Sequence, residues 1–362
     1  MQSSMRVLHL PMNIASQIST TVRALRDIGV DAQGMVIDNS IIQGNEGIRN
    51  FETISLRRHP LRGAIRRLLI IYEFQTAIRW ADVIHWHFNA SVLPKDLDLK
   101  YINFLNKPRI VEFWGSDVRI PEIASADNPY IAKLYREYPE LTSGARDRSI
   151  QTQMRFSRYG FECLLPGAEI YPYINESIFP TPYKIKARLI ISDFIPKYPD
   201  PAKKRPVIAH APSHKGKKGT NAVLWAIDHL KKRYDFEFRV IHGVNHAEAI
   251  NIISNCDVMV DQFVAGAHGL ASLEAMALGK PTLCYIKPSL VETFPPDFPI
   301  VNANQDNLSE VLGKLLENGA LRHQIGRQSR AYVEKYHDAH KMAHDLVKIY
   351  EELIKKNNKK KA

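Results

Sequence analysis

Residues 257–285, DVMVDQFVAGAHGLASLEAMALGKPTLCY, constrain the fold of this chain more than any other stretch. An apolar run over 258–260 predicts a strand. A small-residue loop with Gly266 and Gly269 follows, and 270–278 has helical character. Gly279 closes that helix, Lys280-Pro281 turns the chain, and 282–286 reads as the next strand. A strand, a helix and a second strand of this kind form the repeating unit of a parallel sheet. A glycine-bearing loop that feeds a helix leaves backbone N–H groups free at the helix N-terminus, where the helix dipole favours an anion such as phosphate. Glu274 lies about one turn into the helix and points back to the loop, where a carboxylate accepts hydrogen bonds from hydroxyls. Phosphate donors beside a hydroxyl acceptor suit a nucleotide; an ordinary βα turn with a surface Glu is the plainer reading.

The chain has 362 residues, enough for two domains with their own cores. Lys and Arg number 49 against 38 Asp and Glu, a net charge of +11 that favours anionic partners. Nucleic acid is set aside, because the basic residues fall in separated clusters and no nucleic-acid motif is present. Cys163, Cys256 and Cys284 are too scattered for a metal set and fit a reducing compartment. No apolar run reaches the roughly 18 residues of a membrane-spanning helix, and the N-terminus lacks a signal-peptide pattern. The expected location is the cytoplasm.

In chain order, 6–11 reads as a strand, the loop through Asn13, Ala15 and Ser16 leads into a helix that Gly29 closes, and 30–37 is a second strand. In such sheets ligands sit at the carboxyl ends of strands, so the loop after Pro11 faces the ligand side. Residues 56–80 predict a helix with Arg57, Arg58, Arg62, Arg66 and Arg67 among apolar residues. Like charges at i, i+4 and i+8 repel, which suits either an acidic membrane surface at 57–67 or a merely solvated face. The strand 81–88 places His85 and His87 on one face; with no third ligand nearby in sequence, packed or ligand-lining histidines are favoured over a metal site. The strand 108–113 ends in Trp114-Gly-Ser-Asp117-Val-Arg119. Here Asp117 either orients a hydroxyl or pairs with Arg119 to hold the turn. Residues 196–205, rich in Pro and Lys, read as a linker. The strand 206–210 then meets a basic loop with Ser213, Lys215, Lys218 and Gly219 and an amphipathic helix, so cations and N–H groups converge at one helix N-terminus. The GxxxxGK[ST] order of a Walker loop is absent. The tail 357–362 reads as a disordered basic run whose lysines add attraction to an acidic surface.

These segments resemble retaining glycosyltransferases of family 4, which have the GT-B fold. GLASLEAMALGKP, residues 269–281, matches their GL-x-x-x-EAMA-x-G-x-P frame and puts Glu274 on the second Glu of the family's pair. The first Glu falls on Gly266, which has no side chain. Lys218-Gly219 matches the KG of an R-x4-KG loop, with Ser213 where the Arg stands. Trp114 replaces the His of an HGSD-type turn, and Asn13, Ala15 and Ser16 replace glycines. The resemblance implies an α/β chain of two Rossmann-like domains facing a central cleft. The acceptor-side domain spans 1–195, the linker 196–205 and the nucleotide-sugar domain 206–338, with a closing helix, 339–356, crossing back to the first domain.

It further implies transfer of a sugar from a nucleotide-diphosphate-sugar to a glycan or lipid-linked acceptor, with no metal and no cofactor besides the donor. Lys218 with Lys215, and the N–H groups near His268, Gly269 and Leu270, would meet the diphosphate, Glu274 the ribose and Gly243 the base. Asp261 or His268 would stand in for the carboxylate missing at Gly266. Asn13, Ser16, Trp114, Asp117 and Arg119 would serve the acceptor side. A chain that binds nucleotide or glycan without transfer is the alternative.

Overall fold

The computed structural model describes residues 5–37, 47–50, 60–212 and 214–359. Ser213, Arg57, Arg58 and lysines 360 and 361 lie outside the described residues, and the helix that carries Arg62 and Arg66 is described there by its backbone alone.

Two compact units account for the chain. The first joins Met1–Arg119, Asp147–Arg188 and Ala339–Ala362; the second joins Ile120–Arg146 and Leu189–Asp338. In the first, the elements are β1 (Arg6–Pro11), α1 (Gln17–Asp27), β2 (Asp31–Val36), β3 (Arg49–Asn50), α2 (Pro60–Trp80), β4 (Val83–His87), α3 (Leu97–Phe104) and β5 (Arg109–Glu112). The chain next contributes α4 (Pro121–Ser125) and α5 (Pro129–Glu137) to the second unit. It returns through α6 (Ala145–Arg158), β6 (Glu162–Leu165) and β7 (Tyr183–Lys184). The second unit continues with β8 (Val207–His210), α7 (Lys215–Lys218), α8 (Thr220–Leu230), β9 (Glu237–Val240), α9 (His246–Ser254) and β10 (Val258–Val260). After these come α10 (Leu270–Ala277), β11 (Thr282–Cys284), α11 (Pro288–Val291), β12 (Val301–Asn302), α12 (Leu308–Glu317) and α13 (Gly319–Tyr336). The last helix, α14 (Ala339–Lys359), belongs to the first unit.

Both sheets are parallel. The first runs β3-β2-β1-β4-β5-β6-β7 and the second β12-β11-β10-β8-β9. Their strands are short apolar runs because helices cover them; β4, β5, β8, β10 and β11 are buried at every position. In each sheet the chain starts in the middle, goes out on one side and returns on the other. That creates a switch point between β1 and β4 in one unit and between β8 and β10 in the other, where crossovers diverge and leave room for a ligand. In the second unit a core of Ile208, Val223, Ile227, Val258, Val260, Phe263, Leu283 and Leu312 fixes the two strands that bound that point.

Three sequence expectations change. Residues 120–146, placed with the first domain, cluster with the second unit, because Asn128 is buried there and donates to the Val264 carbonyl at 2.8 Å. Residues 189–205 also cluster there; a backbone bond from Leu189 to the His337 carbonyl and the Lys197 bond to the Leu278 carbonyl tie them in. The tail is helical as far as Lys359, with Asn357 anchoring its end on the Asn106 carbonyl at 2.8 Å. Among the described residues no helix is long and apolar enough to cross a membrane.

Candidate nucleotide-sugar site

The switch point of the second unit gathers the basic loop and the α10 loop. After β8, one helical turn, α7, ends at Gly219 with φ +73°, a left-handed conformation that favours glycine. A Cβ at Gly219 would also press to 3.2 Å of Phe263 Cβ. This turn carries the Lys218 side chain inward while Lys215 and Lys217 stay exposed. The Lys218 ammonium reaches Asp261 Oδ1 at 2.5 Å, and Ser272 Oγ donates to Asp261 Oδ2 at 2.5 Å. Burial alone raises the Asp261 pKa. The Lys218 charge, with the hydrogen bonds from Lys218 and Ser272, outweighs burial and holds the carboxyl below its ordinary value. Nearby, His210 Nδ1 meets the Val260 carbonyl at 2.8 Å, so it carries the proton and Nε2 accepts from Thr220 Oγ1 at 3.0 Å.

Helix α10 begins at Gly269, with no side chain capping its N–H groups and no acidic residue in its first turn. A Cβ on Gly269 would lie 3.5 Å from Lys218 Nζ and 3.3 Å from Asp261 Oδ2. Gly269 therefore sets an ammonium beside an uncapped helix N-terminus, a combination that suits an anion. One turn on, Glu274 Oε1 pairs with His246 Nε2 at 2.7 Å. The hydrogen bond that His246 donates to Glu274 raises the His246 pKa against the opposing effect of burial. His246 opens α9 under an Asn245 cap, directly after the Gly243 turn at φ +72°.

The predicted residues divide by surroundings. Lys218, Gly219, Asp261, Gly269, Leu270 and Glu274 come together around the switch point, and Gly243 lies on the loop before His246. The structure gives Asp261 a different setting from a free sugar-binding carboxylate, since both its oxygens are taken and it is fully buried. The His268 ring packs against Phe294 and Phe298, at centroid distances of 5.5 and 5.8 Å. At Gly266, φ +77°, a Cβ would come within 2.7 Å of Asn128 Nδ2 and 3.0 Å of Lys287 Cβ. The 120–146 excursion fills the position where the resemblance expects a carboxylate. His246 and Asn128 were not singled out from sequence. The signal for His246 was an Asn-His-x-Glu helix start; Asn128 had none, because its partner lies 136 residues away.

In the first unit, Asn13 Oδ1 accepts from the Ile18 and Ser19 N–H groups, at 2.9 and 3.3 Å, and holds the start of α1. Ala15 and Ser16 have φ of 46° and 62°, so this loop keeps a left-handed path without glycine, a strained choice. Asp117 is buried and accepts from the Trp114 N–H at 3.0 Å, closing the turn after β5. Burial pushes its pKa up to about 7, against backbone hydrogen bonds that favour the charged form. Arg119 lies close enough to add its charge to that opposition. Beneath this turn is a polar layer that includes His85 and His87, and the third histidine the sequence lacked is His9 on β1. His9 Nδ1 and His87 Nε2 are 3.0 Å apart, His85 Nδ1 meets the Tyr350 hydroxyl at 2.7 Å, and Glu112 Oε2 lies 3.2 Å from both His85 Nε2 and His87 Nδ1. Arg188 grips Glu112 with two nitrogens at 3.0 and 2.9 Å. Neutral histidines close this network, and the buried guanidinium disfavours a further dication beside it.

The comparisons follow this geometry. Residues 234–332 match the family model described as glycosyl transferases group 1. The chain has the GT-B fold. It superposes on sucrose-phosphate synthase from Thermosynechococcus elongatus with a TM-score of 0.63 at 14% identity, covering 97% of this chain and 99% of that one. A glycosyltransferase from Rickettsia africae gives 0.64 at 14% identity, covering 98% and 99%. Anabaena HepE in complex with UDP and glucose gives 0.59 at 11% identity, covering 96% and 100%. Comparison with curated proteins finds no match. The group 1 match spans Glu274 and the α10 loop but begins after Lys218.

Proposed function

We propose that the chain transfers a sugar from a nucleotide-diphosphate-sugar to a glycan or lipid-linked acceptor, with retention at the anomeric carbon, in the synthesis of a bacterial surface polysaccharide. The observation that carries this reading is the convergence of Lys218 Nζ and the uncapped start of α10 at Gly269. As the bond from the sugar to the diphosphate breaks, negative charge grows on the departing oxygen. Lys218 and the α10 N–H groups meet that charge, so the reading includes transfer without a metal ion. Glu274, anchored by His246, takes the ribose hydroxyls. Anabaena HepE, a structure holding UDP and glucose, makes UDP the first nucleotide to try.

The test is a thermal-shift panel of UDP, GDP, ADP and CMP and their sugars, on wild type and Glu274→Ala. Saturation at about 100 times Kd adds roughly 2.7 kcal/mol, which is a shift of several degrees. A shift with one diphosphate, absent in the variant, is the expected result; no shift with any nucleotide sinks the reading. A binding protein without transfer is the second reading, favoured by Asn128 occupying the place of the expected carboxylate at Gly266. Donor consumption with any acceptor would eliminate it.

Attachment to the inner face of an acidic membrane belongs to the same proposal. Its support is exposed Leu68, Leu69 and Tyr72 on α2, next to exposed Arg67, and the lysines near the end of α14. Sedimentation with phosphatidylglycerol vesicles tests it: equal recovery on neutral vesicles removes the electrostatic part, and no recovery on either removes the attachment.

A further inference from the structure

The second unit holds a second pocket, of about 610 Å³, at the carboxyl ends of β11 and β12. It stands on the opposite side of β10 from the basic loop after β8, and its lining shares no residue with the Lys218, Asp261 and Gly269 cluster. Its walls come from the start of α5, from the turn after β11 with α11, and from the loop between β12 and α12. Tyr130 and Tyr285 meet edge to face at 5.0 Å. The Tyr130 hydroxyl donates to Asp306 at 2.5 Å, whereas the Tyr285 hydroxyl makes no hydrogen bond among the described residues. Asn304 and Asn307 use their side-chain oxygens to hold the loop, accepting backbone N–H groups at 2.8 to 3.0 Å. Among the described residues their NH2 groups have no hydrogen-bond partner and exposed Glu292 forms no ion pair. No Lys or Arg lines the pocket, since nearby Lys287 is engaged by Asp127 at 2.7 Å.

We propose that this pocket binds a neutral sugar residue of a glycan, at a site separate from the donor. The proposal rests on the transferase reading for its biological sense and on the pocket for its chemistry. The tyrosine rings and the apolar surfaces of Pro129 and Val291 suit the C–H face of a pyranose. Two amide donors, a phenol and a carboxylate acceptor suit its ring hydroxyls. With the carboxylates Asp127 and Glu292 and no Lys or Arg among its described lining residues, the pocket favours a neutral ligand over a nucleotide or a phosphate, and its size lies in the range of small-ligand sites. A transferase that holds a second sugar of its acceptor on the donor unit would keep a growing glycan in place between additions.

The probes are maltotriose, chitotriose and mannotriose, applied to the full-length protein in ligand-observed saturation-transfer NMR, with and without a stabilising nucleotide. At least one trisaccharide should give a signal that persists with nucleotide bound and weakens about tenfold in Tyr285→Phe/Glu292→Ala, through loss of two hydrogen-bonding groups. Tyr285→Phe keeps the ring against Tyr130, and an unchanged melting curve verifies that the double variant is folded. A signal abolished by nucleotide, or unchanged in the double variant, overturns the site. Silence from all three probes does the same, and leaves the donor reading to its own test with Glu274→Ala. If a trisaccharide binds as described while no nucleotide stabilises the protein, the transferase reading fails and the glycan site stands.

Discussion

At the residue scale, Lys218 and Asp261 sit 2.5 Å apart, with the Asp carboxylate fully buried and the Lys side chain 11% exposed. Such a pair contributes little net stability relative to an apolar pair, yet removing one partner strands the other charge. Asp261→Asn should therefore cost about 3 kcal/mol in urea unfolding, and Lys218→Met/Asp261→Leu should cost less than Asp261→Asn alone. Equal costs would mean the pair is not coupled as the geometry requires. The double variant separates stability from chemistry: with Lys218→Met it should still lose about a hundredfold or more in transfer rate if Lys218 meets the leaving diphosphate. Sequence exposed Lys218 as half of a KG pair and Asp261 as a nearby acid. It concealed their attachment to each other, because the contact depends on α7 turning Lys218 inward beneath the end of β10.

At the element scale, β1, β4 and β5 build one buried layer from His9, His85, His87 and Glu112, sealed by Arg188 and by Tyr350 of α14. Burial lowers the pKa of each histidine; Arg188 adds to this, and Glu112 opposes it in part at His85. The folded pKa values thus lie below the unfolded value of about 6.5, and the unfolded state binds more protons as pH falls. The network's stability is complete above about pH 6.5 and is lost on acidification, by at most about 1.4 kcal/mol per pH unit for each histidine. Glu112 is pulled the same way in stronger acid: burial raises its pKa, but Arg188 and His85 outweigh burial and hold it low. Urea midpoints taken between about pH 8 and about pH 5 should fall, with a visibly smaller slope in His87→Gln. An unchanged slope in that variant would place the acid sensitivity elsewhere. The period-2 pattern of β4 made His85 and His87 legible as a pair, but His9 lies on a different strand, and sequence spacing carries no record of which strands become neighbours. The same limit hid Asn128, whose side chain belongs to the loop after β10, 136 residues away in sequence.

At the scale of the whole molecule, the two units interleave in sequence, so the last helix serves the unit that contains the first strand. The alternation of strands with helices and the Pro- and Lys-rich linker made two α/β units legible, because short buried strands alternating with helices have few other ways to hide both faces of a sheet. The helix buries Ala343, Leu346, Ile349, Tyr350 and Leu353, and Tyr350 supplies the hydroxyl that His85 needs. Four large side chains at about 1.5 to 3 kcal/mol each make α14 worth about 6 to 12 kcal/mol, as much as a typical margin of stability. Deleting residues 339–362 should therefore unfold the first unit at ordinary temperature. The second unit keeps its own core and should retain a cooperative transition. Scanning calorimetry would show one transition surviving and one missing, and the survivor should still be raised by the nucleotide that stabilises the full chain, since Lys218, Gly269, Glu274 and His246 all lie within that unit. A nucleotide response that disappeared with α14, while the surviving transition stayed intact, would mean that binding needs residues of the first unit as well.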